Sequence, residues 1–283
     1  MASLQSRATA ILVRALAQLD VELTRRSRSR RGRLEGVLAH VAGLGLAPNT
    51  VIDVGAAYGH WSRVSRVAFP RARHLAVEPL SEFAPFLTHE AITDPERFTY
   101  VAAAAARVDG PLTLNVHKDL VGTSILPEME GASVDGTPRM VTGITLDHLI
   151  DQHNAAGPYL VKVDAQGAEL EILMGARRVL AESEFIVLET SLFQFLRGGP
   201  DLRKVIEFMG DAGFVPYDLW GRLYRPLDGA LAQVDVAFAQ EKGYLRTDHR
   251  YADPAHRRLQ DELLSKSYRS RLRGLGRRDD DAG

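Results

Sequence analysis

The sequence predicts an α/β protein whose parallel sheet carries helices on both faces. Three observations lead there. Between residues 48 and 240 strand-like and helix-like segments alternate, the order that sets strands side by side under crossover helices. The stretch VIDVGAAYGHW, residues 51–61, passes from an apolar strand through an acid and a glycine-bearing turn into a helix. The stretch LVKVDAQGAELEIL, residues 160–173, repeats that passage with Lys162, Asp164 and Glu169 at the hinge. Burying charges is costly unless they are paired or used, so this hinge marks where the sheet opens into a cleft.

The elements follow in order. Residues 6–24 place Ile11, Leu12, Leu16, Leu19 and Leu23 at helical spacing, an amphipathic helix suited to the domain surface, a partner subunit or a membrane face. A second helix spans 34–44 and stops at Gly43 and Gly45. Pro48 and Asn49 launch the first strand, 50–54, and the helix after Gly59 runs to residue 68. Strand 74–77, helix 81–89 and strand 98–102 come next. The alternation then breaks. β-prone pieces at 112–116 and 140–145 flank a loop rich in Gly, Ser and Pro, which predicts an inserted hairpin with a mobile tip. A short helix at 147–152 leads to strand 159–163, and a helix at 168–181 to strand 185–188. Helix 202–212 is closed by Gly213, and strands at 215–219 and 234–239 finish the sheet. The expected organisation is an N-terminal helical extension, 1–47, one α/β domain, 48–245, and a helical or flexible basic tail, 246–283.

Composition narrows the chemistry. The chain has no cysteine, which removes disulfides, thiolate metal sites and cysteine nucleophiles and fits a reducing compartment. No apolar run approaches a membrane span and no secretory leader is evident, so a cytoplasmic location is expected. The net charge of −1 gives no global field for nucleic acid. Charge is locally uneven, however: RRSRSRRGR at 25–33 and the basic run 266–278 could meet phosphate or an anionic membrane, or could be solvated helix ends. Peripheral membrane contact through 6–33 and a homo-oligomer are carried as expectations. The histidines show no metal-ligand spacing, and no nucleophile elbow exists.

In open α/β sheets ligands bind beyond the C-terminal strand ends, where strand order reverses. There, Gly55 and Gly59 allow a tight turn and close backbone approach, with Ala56, Ala57 and Tyr58 between them. Their spacing is not the dinucleotide pattern, and the lysine of a P-loop is missing, so pyrophosphate has no cradle. The second strand ends in AVEP, which sets Glu78, fixed by Pro79, where a carboxylate can accept both ribose hydroxyls. A nucleoside without pyrophosphate points to S-adenosylmethionine, with Asp53 and the 55–59 turn near its amino-acid end and Glu78 on its ribose. At the next hinge, Asp164 is a candidate to position or deprotonate an acceptor, to order the cofactor's amino group, or to cap a helix. Lys162 shares its face and could pair with Asp164 or Glu189. Glu169 either contacts substrate or complements the helix dipole, and Glu189 ends a strand pointing at the cleft. Asp164, Glu169 and Glu189 have the ligand chemistry for magnesium, but their spacing is not diagnostic, and no metal site is assigned.

DVGAAYG, VEP and KVDAQGAELEILMGA, in this order, resemble the FkbM family of S-adenosylmethionine-dependent methyltransferases. The third is the most specific. The family's stretch is close to K-[IV]-D-x-[EQ]-G-x-E-x-x-x-L-x-G-A, and Lys162, Asp164, Gln166, Gly167, Glu169, Leu173, Gly175 and Ala176 fall in register. TLDHL, IVLET and QVDVAFAQ are similar to further family features, so the resemblance covers 48–240. Ala57 stands where relatives often carry asparagine, and Gln166 where glutamate is common, which removes one candidate acid. The resemblance implies a Rossmann-like seven-stranded methyltransferase sheet with an antiparallel last strand. It also implies methyl transfer to a hydroxyl of a sugar, glycolipid, polysaccharide precursor or polyketide. Two rivals stay open. An RNA or protein methyltransferase is motivated by the arginine run, and a cofactor-binding, membrane-docked scaffold by the N-terminal helix.

Overall fold

A computed structural model describes residues 32–131 and 133–275. The N-terminal helix expected at 6–24 and most of the arginine run lie outside these residues. The chain divides into two units at Gly243/Tyr244. The first opens with α1 (Leu34–Gly43), then β1 (Thr50–Val54), α2 (His60–Ala68), β2 (Arg73–Val77), α3 (Ala84–Thr93) and β3 (Phe98–Val101). An insert of β4 (Ala104–Ala105), β5 (Gly110–Val116) and β6 (Thr137–Ile144) precedes α4 (Leu146–Gln152) and β7 (Tyr159–Val163). Then come α5 (Glu169–Met174), α6 (Arg177–Glu182), β8 (Ser183–Ser191), α7 (Leu202–Asp211), β9 (Phe214–Tyr224) and β10 (Leu231–Gln240). The second unit holds a 3-10 turn and α8 (Pro254–Leu275), whose first turn is capped by the Asp253 carboxylate accepting from the Ala255 and His256 N–H groups. Among the described residues no helix is long and apolar enough to cross a membrane.

The seven-stranded sheet has the order β3-β2-β1-β7-β8-β10-β9. β3, β2, β1, β7 and β8 are parallel, and the last strand, β10, runs antiparallel to both its neighbours. β1 and β7 are buried along their whole length, as apolar strands between two helical layers must be. One layer, α4–α7, packs on Ile52, Val161, Ile186 and Val236. On the other face α1 meets β9, α2 meets β1 and β2, and Leu87 of α3 packs with Ala76 and Phe98. Strand order reverses between β1 and β7, so the crevice opens above that pair.

Four elements differ from the sequence reading, each for a local reason. The helix expected at 81–89 begins at Ala84, with Pro85 in its first turn where a missing N–H costs nothing. The helix expected at 168–181 is two short helices. They break at Gly175, which packs so tightly on the insert that a Cβ there would sit 2.6 Å from the Arg107 carbonyl oxygen and 2.7 Å from that of Ala106. β9 extends to Tyr224 because it is a sheet edge, where Pro216 and exposed polar residues are tolerated and the alternating pattern is lost. The insert is more than a hairpin, since β4 adds in parallel to β6 and makes a three-stranded sheet. Within its long connection, Ser124 bridges to Asn115, and Glu128 to Leu196.

Gly175→Ala should therefore lower the unfolding free energy by about 1–3 kcal/mol, the usual cost of forcing a methyl into a packed site. Urea denaturation checks it, and an unchanged midpoint would show that the insert yields freely at this contact.

Candidate active site

The glycine turn after β1 is a run of left-handed residues: Gly55 (φ 69°), Ala57 (φ 44°) and Gly59 (φ 73°). A Cβ on Gly55 would run into the Asp164 carbonyl oxygen, so that position needs glycine both for its φ and for the approach of β7. Ala57 bears a Cβ in a conformation costing roughly 1–2 kcal/mol. Its N–H is held by Glu78, whose Oε2 accepts at 3.0 Å, while Oε1 accepts from the Leu80 N–H at 2.9 Å. Glu78 is buried, and loss of water raises its pKa, partly offset by these two N–H donors. A carboxylate has about four acceptor positions, so two remain for other donors.

Beneath the turn lies Lys162. Its Nζ donates to the Gly55 carbonyl at 2.8 Å and makes ion contacts with Asp53 Oδ1 at 3.3 Å and Asp164 Oδ2 at 3.5 Å. Burial alone would lower the Lys162 pKa, but Asp164 and Asp53 outweigh it and hold the ammonium above its ordinary value. Asp53 has no exposed surface, and its Oδ2 accepts from the Ser62 hydroxyl of α2 at 2.6 Å. It has no surface in the crevice, where the sequence suggested a cofactor contact; Ser62 of α2 and Lys162 enclose it beneath the turn it supports.

Beyond β7 and β8 the carboxyl groups gather. Gln166, itself left-handed (φ 45°), donates from Nε2 to Asp164 Oδ1 at 3.1 Å and Glu189 Oε2 at 2.7 Å. Gln233 donates to the same Glu189 oxygen at 3.1 Å. Asp235 of β10 stands directly opposite Glu189 in the antiparallel register. Burial, then Asp164, Asp235 and Glu169, raise the Glu189 pKa to about 8. Burial and Asp164 raise that of Asp235 to about 6. Glu169 is turned back on its own loop, its Oε1 accepting from the Ala165 N–H at 3.0 Å and the Gly167 N–H at 3.1 Å. Burial raises its pKa to about 7 despite these bonds. Among the described residues no three His, Asp or Glu side chains converge to hold a metal, and the Asp164, Glu169, Glu189 trio does not form one.

A cleft of about 700 Å³, counting its open mouth, joins these parts. Gly55, Ala57, Glu78, Pro79, Asp164 and Gln166 line its polar end. Leu80, Phe83, Leu114 and Leu120 line an apolar wall, with Thr123 and Ser124 of the insert beside them. Of the other sequence candidates, Asp53, Ala56, Gly59 and Lys162 support the turn without lining the cleft. Tyr58 is half-exposed and packs edge-on against Phe83 and Phe86. Ser62, Ser124, Gln233 and Asp235 were not singled out as site residues. Gln233 and Asp235 fall in the QVDVAFAQ stretch, and Ser124 in the GTS of 122–124, which the sequence leaves open as a lid over the acceptor or a turn.

The Methyltransferase FkbM domain family matches residues 53–216, more than half of the chain. The chain belongs to the FkbM methyltransferase family. Its fold is that of S-adenosylmethionine-dependent methyltransferases. Solved structures it is similar to include a methyltransferase FkbM from Methylobacillus flagellatus KT, with 16% identity and a TM-score of 0.40, covering 66% of this chain and 43% of that one. The chain thus spans less than half of that relative. Another is magnesium protoporphyrin IX methyltransferase from Synechocystis PCC 6803 with bound SAM, with 11% identity and a TM-score of 0.42, covering 73% and 77%. A third is a precorrin-6y C5,15-methyltransferase from Geobacter metallireducens GS-15, with 15% identity and a TM-score of 0.40, covering 77% and 93%. No curated protein matches the chain.

Lys162→Met would leave Asp53 as a buried, unpaired charge and should cost about 3–5 kcal/mol in urea denaturation. A loss below about 1 kcal/mol, the scale of a surface ion pair, would refute that role. In the folded chain Glu169 and Glu189 keep their protons up to about pH 7 and 8, above the ordinary carboxylate range. The folded state therefore binds more protons than the unfolded one across that window, and stability falls as pH rises. Unfolding free energy should decline from about pH 5 to about pH 8, and Glu189→Gln should flatten the decline. An unchanged slope in the variant would contradict a protonated Glu189.

Proposed function

We propose that the protein is an S-adenosylmethionine-dependent O-methyltransferase acting on a hydroxyl of a sugar, glycolipid, polysaccharide precursor or polyketide-type metabolite. The observation that carries the O-directed reading is the half-buried carboxyl group of Glu189, which does not line the cleft itself but is joined through Gln166 to Asp164, which does. Methyl transfer to a hydroxyl needs a proton acceptor tuned near neutrality, and burial among like charges supplies one.

The cleft suits the cofactor on its own residues. Glu78 keeps acceptor positions for the ribose hydroxyls while bonding the Ala57 and Leu80 N–H groups. The glycine turn lets backbone approach a ligand closely, and the apolar wall of Leu80, Phe83, Leu114 and Leu120 suits a flat base. Bound S-adenosylmethionine supplies an electrophilic methyl group on a sulfonium. Asp164, about a third exposed and paired with Lys162, faces the crevice and orients either the cofactor's amino group or the acceptor. Glu189 takes the acceptor proton, and Lys162 and Asp53 hold the turn rigid beneath. The acceptor is a small molecule or glycan met in the cytoplasm, without nucleic acid. The RNA or protein alternative rested on the run 25–33, most of which is outside the described residues, and nothing in the cleft favours it.

The purified protein, incubated with methyl-labelled cofactor and extract of cells lacking it, should label a small hydroxylated compound as its methyl ether on mass analysis. Label on RNA, on protein or on nitrogen would overturn the reading. With that acceptor, Glu189→Gln should lower kcat/KM by about 10²–10⁴-fold, the range of a lost general base. The wild-type rate should rise through about pH 8 as the coupled carboxyl groups ionise.

A further inference from the structure

The insert touches the acidic edge at one polar point, Ser124. This residue is 1% exposed. Its backbone pairs with Asn115, through Asn115 N–H to the Ser124 carbonyl at 2.8 Å and the reverse bond at 3.3 Å. Its hydroxyl oxygen accepts from the Leu126 N–H at 3.0 Å, which leaves its single proton to donate. That proton goes to the Gln166 carbonyl oxygen at 2.6 Å, across 42 residues of chain.

Gln166 is the residue with most to gain from an outside tether. It is a non-glycine residue in the left-handed region, followed by Gly167 at φ 89°, whose added Cβ would meet Leu196 at 2.9 Å. From this conformation its side-chain amide reaches Asp164 and Glu189 together, bridging the ends of β7 and β8. Both Ser124 and Gln166 line the cleft, as do Leu120 and Ile125 on either side of the serine.

We propose that Ser124 is a positioning residue: its hydroxyl fixes Gln166 in the left-handed conformation, so the 120–125 wall of the cleft and the Asp164–Gln166–Glu189 bridge form together. Without that tether the Gln166 carbonyl loses its donor and the strained backbone relaxes. The amide then leaves the two carboxylates, which face each other without a shared N–H. A donated hydrogen bond favours the ionised carboxylate, so its loss makes Glu189 hold its proton to higher pH. The other groups facing Glu189 keep their places: Asp164 after β7, Glu169 at α5, and Asp235 and Gln233 on β10, with Lys162 facing Asp235. The functional meaning of the tether rests on the methyltransferase reading; its geometry does not.

The test is carboxyl NMR titration of full-length protein labelled with carboxyl-13C glutamate, with Glu189 assigned by Glu189→Gln. Ser124→Ala should raise the Glu189 midpoint by about half to one pH unit, the worth of one hydrogen bond. Gln166→Asn keeps a left-handed-tolerant residue but retracts the amide, and should raise it similarly. The double variant should move no further than Gln166→Asn alone, because both changes break one chain of contacts. Ser124→Thr keeps the hydroxyl and should restore the wild-type midpoint. An unmoved midpoint in folded Ser124→Ala, or additive shifts in the double variant, overturns the proposal; so does a Ser124→Thr midpoint displaced as far as that of Ser124→Ala. Calorimetry with S-adenosylhomocysteine separates the two readings. Binding by wild type, weakened several-fold in Ser124→Ala, supports the tether of the wall, and equal binding by the two overturns it. No binding by wild type sinks the methyltransferase reading, while the titration still decides the role of Ser124.

Discussion

The buried ammonium of Lys162 is the contact on which the crevice depends. It sits where strand order reverses, and it joins β7 to Asp53 of β1, to Asp164 at the strand end and to the carbonyl of Gly55. The Lys162 cation and the Asp53 carboxylate would be unfavourable singly in this buried layer; together, with Ser62 on the outer oxygen of Asp53 and Asp164 at the crevice beside Lys162, each group has a partner. The pairing fixes the height of the glycine turn. That in turn sets the Ala57 N–H against Glu78, and one carboxylate then braces both β1 and β2.

From this point the edge of the sheet divides by electrostatics. On the β1–β2 side the polar groups are backbone N–H donors and the buried Glu78. On the β8–β10 side they are acids, and Asp235 faces Glu189, with two glutamine amides on Glu189 and the Lys162 charge near Asp235 to offset the like charges. Gly221 on the edge strand makes room for Asp235, since a Cβ there would collide with the carboxyl oxygen. The same protein surface is thus suited to a nucleoside at one end and to holding a proton at the other.

The insert supplies what the sheet cannot. An open parallel sheet ends in a shallow crevice, and the three-stranded β4-β6-β5 sheet gives it a second wall of Leu114, Leu120 and Ile125. Besides the Glu128–Leu196 bridge, two close contacts attach it. Gly175 allows the carbonyls of Ala106 and Arg107 to close on the break between α5 and α6, and Ser124 donates to the turn after β7.

Much of this was legible in the sequence. The fully buried strands 50–54 and 159–163 announced themselves as short apolar runs each interrupted by one charge, Asp53 and Lys162, the turn at 55–59 by its glycines, and the hinge by charges too costly to bury idly. These signals are local, and local periodicity and backbone freedom generate them. What only the tertiary structure decided is which way each charge looks. Asp53 and Asp164 fall on the same face by alternation, yet one is sealed under α2 and the other opens to the crevice. Glu169 caps its own loop, and Gln166, a departure from the usual acid, becomes the bridge between two acids. Ser124 and Asp235 join the site from distant parts of the chain, and no spacing along a sequence encodes a contact that strand order creates.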